Sequence, residues 1–260
     1  MREIGYKWRI YNELKEHKQI AKSLPETCLW KTARMWSMLN KHKAIILKPS
    51  GGTGGYAVVR VTLLPANKIE ICYSGKRFLS VKKNRVEKYL RKLVRWGGSR
   101  YLIQQYIPLA QIKGCPLDFR VMIQRKKIST PWVVTGYHGR KAGNTRMVVT
   151  NVARGKAKVL PVKEALTRSN IQAPPDELIE KMEKLGLLIA NHTGTSPYCR
   201  EIGLDFGIDR HGKVWIIESN PQPDVQPVIG GFLMLKSRKM FRKMIQYRGS
   251  RYPKKFKIVA

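Results

Sequence analysis

The segment LDFGIDRHGKVWIIESN, residues 204–220, restricts the fold more than any other part of the chain. Leu204, Phe206 and Ile208 alternate with Asp205, Gly207 and Asp209, the period of a strand with one buried face. Residues 214–219 form a second apolar strand, and the RHGK between the two is turn-like. Pairing Asp209 with Val214 sets Gly207 against Ile216 and Asp205 against Glu218, so two carboxylates face each other across a hairpin. Asn220, two residues beyond Glu218, points the same way. Like charges directly opposed destabilise a strand pair by roughly 0.2–1 kcal/mol. A divalent cation reverses that sign, because Mg²⁺ takes hard oxygens, often one or two carboxylates together with substrate phosphates. Taken by themselves these residues fit either such a site or a solvated hairpin whose acids are neutralised by nearby Lys and Arg.

The second reading has force because the chain holds 51 Lys and Arg against 17 Asp and Glu, a formal charge of +34. Five of those scarce acids, Glu201, Asp205, Asp209, Glu218 and Asp224, nevertheless fall within residues 201–224. A charge this large points to an anionic partner: nucleic acid, an anionic membrane face, or an acidic peptide or polymer. A thermophile-type surface would bring Glu along with Lys, and here Glu is scarce. No RNP, zinc-finger or helix-turn-helix pattern appears, so any nucleic-acid contact is expected to be nonspecific. With 43% hydrophobic residues over 260 positions the chain can bury a real core. No apolar run is long enough to span a bilayer, and the first 18 residues lack the apolar core of a secretory signal, so the cytoplasm is the expected location. Cys28, Cys72, Cys115 and Cys199 lie far apart, which argues against a disulfide framework or a zinc site. His138, His192 and His211 share no metal-ligand spacing and are expected to be surface or satisfied polar residues.

Along the chain, helices are expected over 8–24 and 30–39, then a strand over 44–48, the loop SGGTGG, and strands over 56–64 and 68–73. Residues 80–96 read as an amphipathic helix capped by Ser80, with Val86, Tyr89, Leu90, Leu93 and Val94 on one face. A strand or hinge over 101–107 ends at Pro108. Strands follow at 117–124, 132–139 and 147–151, and a helix opens at Pro174–Pro175 and ends at Gly194. The segment 225–260 carries ten Lys or Arg and no acid, and its helical pattern through Phe232, Leu235, Met240, Phe241 and Met244 suits docking on its own domain, or a membrane or nucleic-acid contact.

LKPSGGTGGYAVVRV is not a Walker A loop, which needs G-K-[ST] running into a helix. Its glycines still permit backbone N–H groups to approach phosphate oxygens, although glycine-rich hairpins also occur without ligands. Order decides more than any one motif. A Lys-Pro before a glycine loop, a hydrophobic hinge, a D-x-R strand and a D-x(12)-E-x-N hairpin, taken together, resemble the ATP-grasp superfamily. LPET, LKPSGG, DFRVMIQ followed by WVVTG, a TN pair and EIGLDFGID…GKVWIIESNPQP look like the YheC/YheD group of spore-coat-associated ATP-grasp proteins. That resemblance runs from about residue 7 to 227.

The resemblance implies an α+β ATP-grasp fold, two subdomains clamping a nucleotide between antiparallel sheets. Its expected parts are a helical lead-in at 1–40, a small subdomain with the phosphate loop at 41–107, a large subdomain with the metal hairpin at 108–228, and a basic helix or tail at 229–260. It implies ATP and Mg²⁺, with Asp205, Glu218 and Asn220 as metal ligands. Lys48 then reaches a phosphate, Gly51, Gly52, Thr53, Gly54 and Gly55 close over the phosphates, and Gln104, Gln105, Tyr106 and Ile107 line the adenine pocket. Asp118, on the cofactor-binding side, and Arg120 match the D-x-R strand, and Arg140 and Asn151 match positions facing the phosphate or acyl end; Arg120, Arg140 and Asn151 are then the implied catalytic set, the two arginines steadying the acyl phosphate. The plainer alternatives are Arg120 as a structural partner of Asp118 or Glu218, Arg140 as one more surface cation and Asn151 as a turn residue. A second nucleotide-facing lysine has no evident position. The implied activity is carboxylate–amine ligation through an acyl phosphate, with an acidic amino acid or peptide carboxylate and an amine acceptor, and with spore association. The alternative is a non-catalytic ATP-grasp fold that binds acidic polymers or spore components through its basic surface.

Overall fold

The computed structural model describes residues 5–52, 54–96, 100–150, 152–194, 199–221, 231–232, 234–235 and 237–248. Thr53 and Asn151, both expected at the site, and the tail beyond 248 lie outside them. In chain order the elements are α1 (Tyr6–Glu16), α2 (Lys18–Ala21), β1 (Thr27–Leu29), α3 (Thr32–His42), β2 (Ala44–Pro49), β3 (Val59–Leu63), β4 (Ile69–Tyr73), β5 (Lys76–Ser80), α4 (Lys83–Trp96) and β6 (Tyr101–Gln105). There follow β7 (Gln111–Ile112), β8 (Cys115–Gln124), β9 (Val133–Lys141), α5 (Val152–Gly155), β10 (Lys158–Leu160), α6 (Val162–Thr167), α7 (Pro175–Thr193), β11 (Glu201–Ile208), β12 (Val214–Pro221) and α8 (Arg238–Arg248).

Two antiparallel sheets organise these elements. The first runs β1-β6-β2-β3-β4-β5, and the second β10-β9-β8-β11-β12 with β7 beside β8. Val59, Val61, Ile69 and Ile71 of the first sheet pack on Met35 and Leu39 of α3 and on Val86 and Leu90 of α4. In the second sheet β8 is buried on both faces, as the sequence CPLDFRVMIQ requires. Leu117, Phe119, Val121 and Ile123 enter a core with Leu178, Met182 and Ile189 of α7. The alternate residues turn to the other face, where Asp118 and Arg120 are polar and Met122 meets Phe241 and Met244 of α8. The C-terminal helix is therefore docked on its own sheet, tied by Gln124 donating to the Met244 carbonyl and by Arg248 facing Glu201 at 3.2 Å.

Several expectations need correction. Residues 147–150 form no strand; the outer partner of β9 is β10. Ser80 ends β5 rather than capping a helix, and its Oγ accepts from the Lys82 N–H before α4 starts. Residues 27–29, inside the expected helical lead-in, add a strand to the edge of the first sheet. His138 is not a surface residue but is 2% exposed, whereas His192 is satisfied by the Glu13 carbonyl. All four cysteines are free, as expected.

The hairpin carries the most informative departure. Ile208 pairs with Val214 and Gly207 with Trp215, one residue off the expected register. A bulge then intervenes between Asp205 and Phe206, and Asp205 still pairs with Glu218. A regular ladder would have put Val214, Ile216, Glu218 and Asn220 on one face, and apolar residues with carboxylates cannot share a buried face. The extra residue, Ile217, flips the alternation: Ile216 faces the core beside Phe206, while Glu218 and Asn220 join Asp205 on the other side.

Candidate functional site

Three segments far apart in sequence meet at the open side of this hairpin. β2 carries Lys48 to the start of the glycine loop, where Gly52, Gly54 and Gly55 take φ values of +84°, +69° and +67°. Left-handed dihedrals of this kind suit glycine and let the backbone turn tightly. Lys48 is buried, and its Nζ donates to Gln104 Oε1 at 2.9 Å and to the Ile217 carbonyl at 3.0 Å. The bulge thus exposes the acceptor that holds this lysine. Burial lowers the Lys48 ammonium to a pKa of about 8, against the pull of Glu218.

The hairpin wall is a closed ionic network. Asp205 Oδ2 accepts from Arg120 Nη2 at 3.1 Å. Its Oδ1 lies 2.6 Å from Arg120 Nε and 2.9 Å from Arg140 Nη2, yet is buried without an aligned hydrogen bond. Arg140 also grips Asp118 through Nε at 2.8 Å and Nη2 at 2.5 Å, and Thr150 Oγ1 donates to the same carboxylate at 2.5 Å. Burial opposes the Arg140 charge, but Asp118 and then Asp205 outweigh it and push its pKa further up. Register explains the row: His138 pairs with Arg120, Arg120 with Asp205, and Asp205 with Glu218 across four strands. His138 stays neutral because burial, then Arg140 and Arg120, hold its pKa well below the usual range.

The third segment is the start of α1, which the sequence did not flag. The Lys7 N–H donates to the Ser50 carbonyl at 3.1 Å, and Ser50 Oγ donates to the Gly5 carbonyl at 3.0 Å. Lys7 Nζ lies 3.4 Å from Glu218 Oε1, and the Tyr6 hydroxyl reaches the same oxygen at 3.5 Å. Lys7 is the second cation at this cleft. The signal for it is weak, one lysine among many, because its partner lies more than 200 residues away.

The expected hinge is only partly brought in. Gln104 touches Lys48 and donates to Thr27 Oγ1 at 3.0 Å. The N–H groups of Gln105 and Tyr106 are taken by the Glu26 and Ala44 carbonyls, and Ile107 is buried. Gly51 and Gly52 stand beside the start of α1, with the Gly52 carbonyl accepting from Tyr6.

The donors fit a hard divalent ion. Glu218 Oε1 and Asn220 Oδ1 both lie within 3.5 Å of one atom, Tyr6 Oη, and so converge on a common point. Asp205 faces Glu218 and has an oxygen with no aligned hydrogen bond. Among the described residues no group of three or more His, Cys, Asp or Glu could hold a metal, so an ion here would rest on two carboxylates and the Asn220 amide oxygen.

Paired antiparallel sheets with a glycine loop on one and an acid hairpin on the other define the ATP-grasp fold. A D-Ala:D-Ser ligase from Enterococcus faecalis superimposes with a TM-score of 0.54 at 12% identity, covering 94% of this chain and 61% of that one. Within that class, the YheC/D-like ATP-grasp family model matches residues 2–249, and the chain belongs to this family. It is 28% identical over 225 residues to the endospore coat-associated protein YheD of Bacillus subtilis, covering 84% of this chain and 48% of YheD. It is 25% identical over 242 residues to YheC of the same organism, covering 88% of this chain and 62% of YheC. The chain thus spans about half to three-fifths of the length of these relatives.

Proposed function

We propose that the chain is an ATP-dependent ligase that joins a carboxylate to an amine, with an acidic amino acid or peptide supplying the carboxylate. The observation that carries this reading is the convergence of Asp205, Glu218 and Asn220 with Lys48, Lys7 and the glycine loop at one cleft. Phosphoryl transfer asks a protein for positioning and charge neutralisation more than for covalent chemistry. A carboxylate oxygen attacks the γ-phosphorus and ADP leaves; the amine nitrogen then attacks the acyl carbon, phosphate leaves, and the nitrogen gives up a proton. Lys48 and Lys7 offset phosphate charge, and the glycine-loop N–H groups orient it. Mg²⁺, held by Asp205, Glu218 and Asn220, would supply further neutralisation. Arg120 and Arg140 hold Asp205 in place beside the acyl end. Spore association is part of the same proposal, taken from the relatives.

The test is a screen of acidic amino acids and peptides for Mg²⁺-dependent ADP release, with product masses measured. The expected product weighs donor plus acceptor minus water, and Asp205→Asn and Glu218→Gln abolish ADP release. A specific observation favours the non-catalytic alternative: Lys76, Arg77, Lys82, Lys83, Arg85, Lys88, Arg91 and Lys92 crowd β5 and α4 with Glu87 as their one acid. Undiminished binding of acidic polymers by both variants, with no ADP release from the wild type under any condition, supports that reading instead.

A further inference from the structure

Tyr6 sends its hydroxyl into the space that the hairpin oxygens enclose. Oη lies 3.3 Å from Asn220 Oδ1, 3.5 Å from Glu218 Oε1 and 3.2 Å from the Gly52 carbonyl oxygen. A phenol has one proton to donate, so three long contacts share a single donor. In an octahedral shell of about 2.1 Å radius, neighbouring ligand oxygens stand roughly 3.0 Å apart. Tyr6 Oη therefore sits near the spacing of one more ligand atom around an ion bound to Glu218 and Asn220. Mg²⁺ prefers carboxylates, waters and phosphates, and a neutral phenol is a poor substitute for any of them.

The backbone fixes the phenol at that position. A Cβ on Gly5 would stand 2.5 Å from the Ser50 carbonyl carbon and oxygen, so only glycine permits this approach. The Ser50 Oγ to Gly5 carbonyl bond and the Lys7 N–H to Ser50 carbonyl bond then clamp Tyr6 on both sides. A cavity of about 40 Å³ lies under α1, lined in part by Lys7, Tyr11, Lys48, Gln104 and Glu218.

We propose that Tyr6 is a latch on the ion site: its hydroxyl keeps the place that a phosphate or water oxygen takes when a divalent cation arrives with a nucleoside triphosphate. This rests on the metal-hairpin part of the ligase reading. Displacing the phenol removes its contacts to Glu218, which Lys7 still faces, and to Asn220, and at the same time releases the Gly52 carbonyl on the glycine loop. Arrival of the ion and release of the loop are thereby one event.

The experiment compares wild type, Tyr6→Phe and Asp205→Asn by titrating Mn²⁺ alone, followed by electron paramagnetic resonance of the free ion, and then a nonhydrolysable ATP analogue with Mn²⁺ by calorimetry. Tyr6→Phe keeps the ring and removes only the hydroxyl. Loss of about one hydrogen bond's net worth predicts Mn²⁺ binding roughly three- to tenfold tighter than wild type. Asp205→Asn binds Mn²⁺ more weakly. Mn²⁺ binding in Tyr6→Phe that equals or falls below wild type overturns the latch. Tighter Mn²⁺ with no nucleotide binding in any variant upholds the latch and sinks the ligase reading, so the two fail separately.

Discussion

The two walls of the cleft follow opposite electrostatic plans. On the second sheet, Arg120 and Arg140 interleave with Asp205 and Asp118, and each guanidinium meets carboxylate at hydrogen-bond distance. On the first sheet, Lys48 meets two neutral oxygens, the Gln104 side chain and the Ile217 carbonyl. On one wall the arginine charges are matched by carboxylates before any ligand arrives. The other holds a cation in a dry place with no counter-ion in contact among the described residues, at a cost that an incoming phosphate would offset. The difference teaches where rigidity and where affinity reside: the arginine wall holds geometry, and the lysine wall binds charge.

The largest expected effect breaks the arginine wall. Asp118→Ala leaves Arg140 with half its partners in a buried site, and stability measured by urea unfolding is expected to fall by about 3–5 kcal/mol. A fall under about 1 kcal/mol would mean that the network is solvated and the two walls are alike. Next is the junction with α1. Gly5→Ala drives a Cβ into the Ser50 backbone, and the same assay is expected to show a loss of about 1–3 kcal/mol.

The lysine wall is read through pH. Lys48 has a pKa of about 8 in the free protein, and phosphates favour its ammonium. With Lys48 meeting a phosphate as proposed, nucleotide affinity is expected to be full below about pH 7 and to weaken through pH 8, by up to roughly tenfold between pH 7 and 9. Lys48→Arg stays charged and is expected to abolish that slope in calorimetric titrations. Without ligand the sign is opposite. The depressed folded pKa means that the unfolded chain binds the proton more tightly between about 8 and 10.5, so this group's contribution to stability rises with pH there. The smallest effect is the control: Lys163→Ala removes an exposed pair with Asp176 at 2.8 Å, and is expected to change stability by less than about 0.5 kcal/mol.

Legibility in the sequence followed the range of the interactions. The alternation of LDFGID marked a strand with one buried face, residues 117–124 were read as a strand, and Asp205 was correctly set against Glu218. The bulge at Ile217 was not visible, because it settles a conflict between core and site that arises only once the sheet packs. β5 went unread apart from its last residue, Ser80, which was taken as a helix cap, since KRFLS is short and lies just before charged α4. MVVTN has β-branched residues, but the place beside β9 is taken by β10. Tyr6 and Lys7 could not be read at all: they reach Glu218 across 212 and 211 residues, and no local pattern marks such contacts.

The central claim is that the opposed acids and the lysines act together on a nucleotide and its ion. Calorimetric binding of a nonhydrolysable ATP analogue to the wild type and to Glu218→Gln, each with Mg²⁺ and with chelator, tests it most directly. The account predicts binding by the wild type that requires Mg²⁺ and weakens at least about tenfold in Glu218→Gln, the loss of a charge-assisted contact. Equal binding with and without Mg²⁺, or a Glu218→Gln protein indistinguishable from wild type, would contradict it.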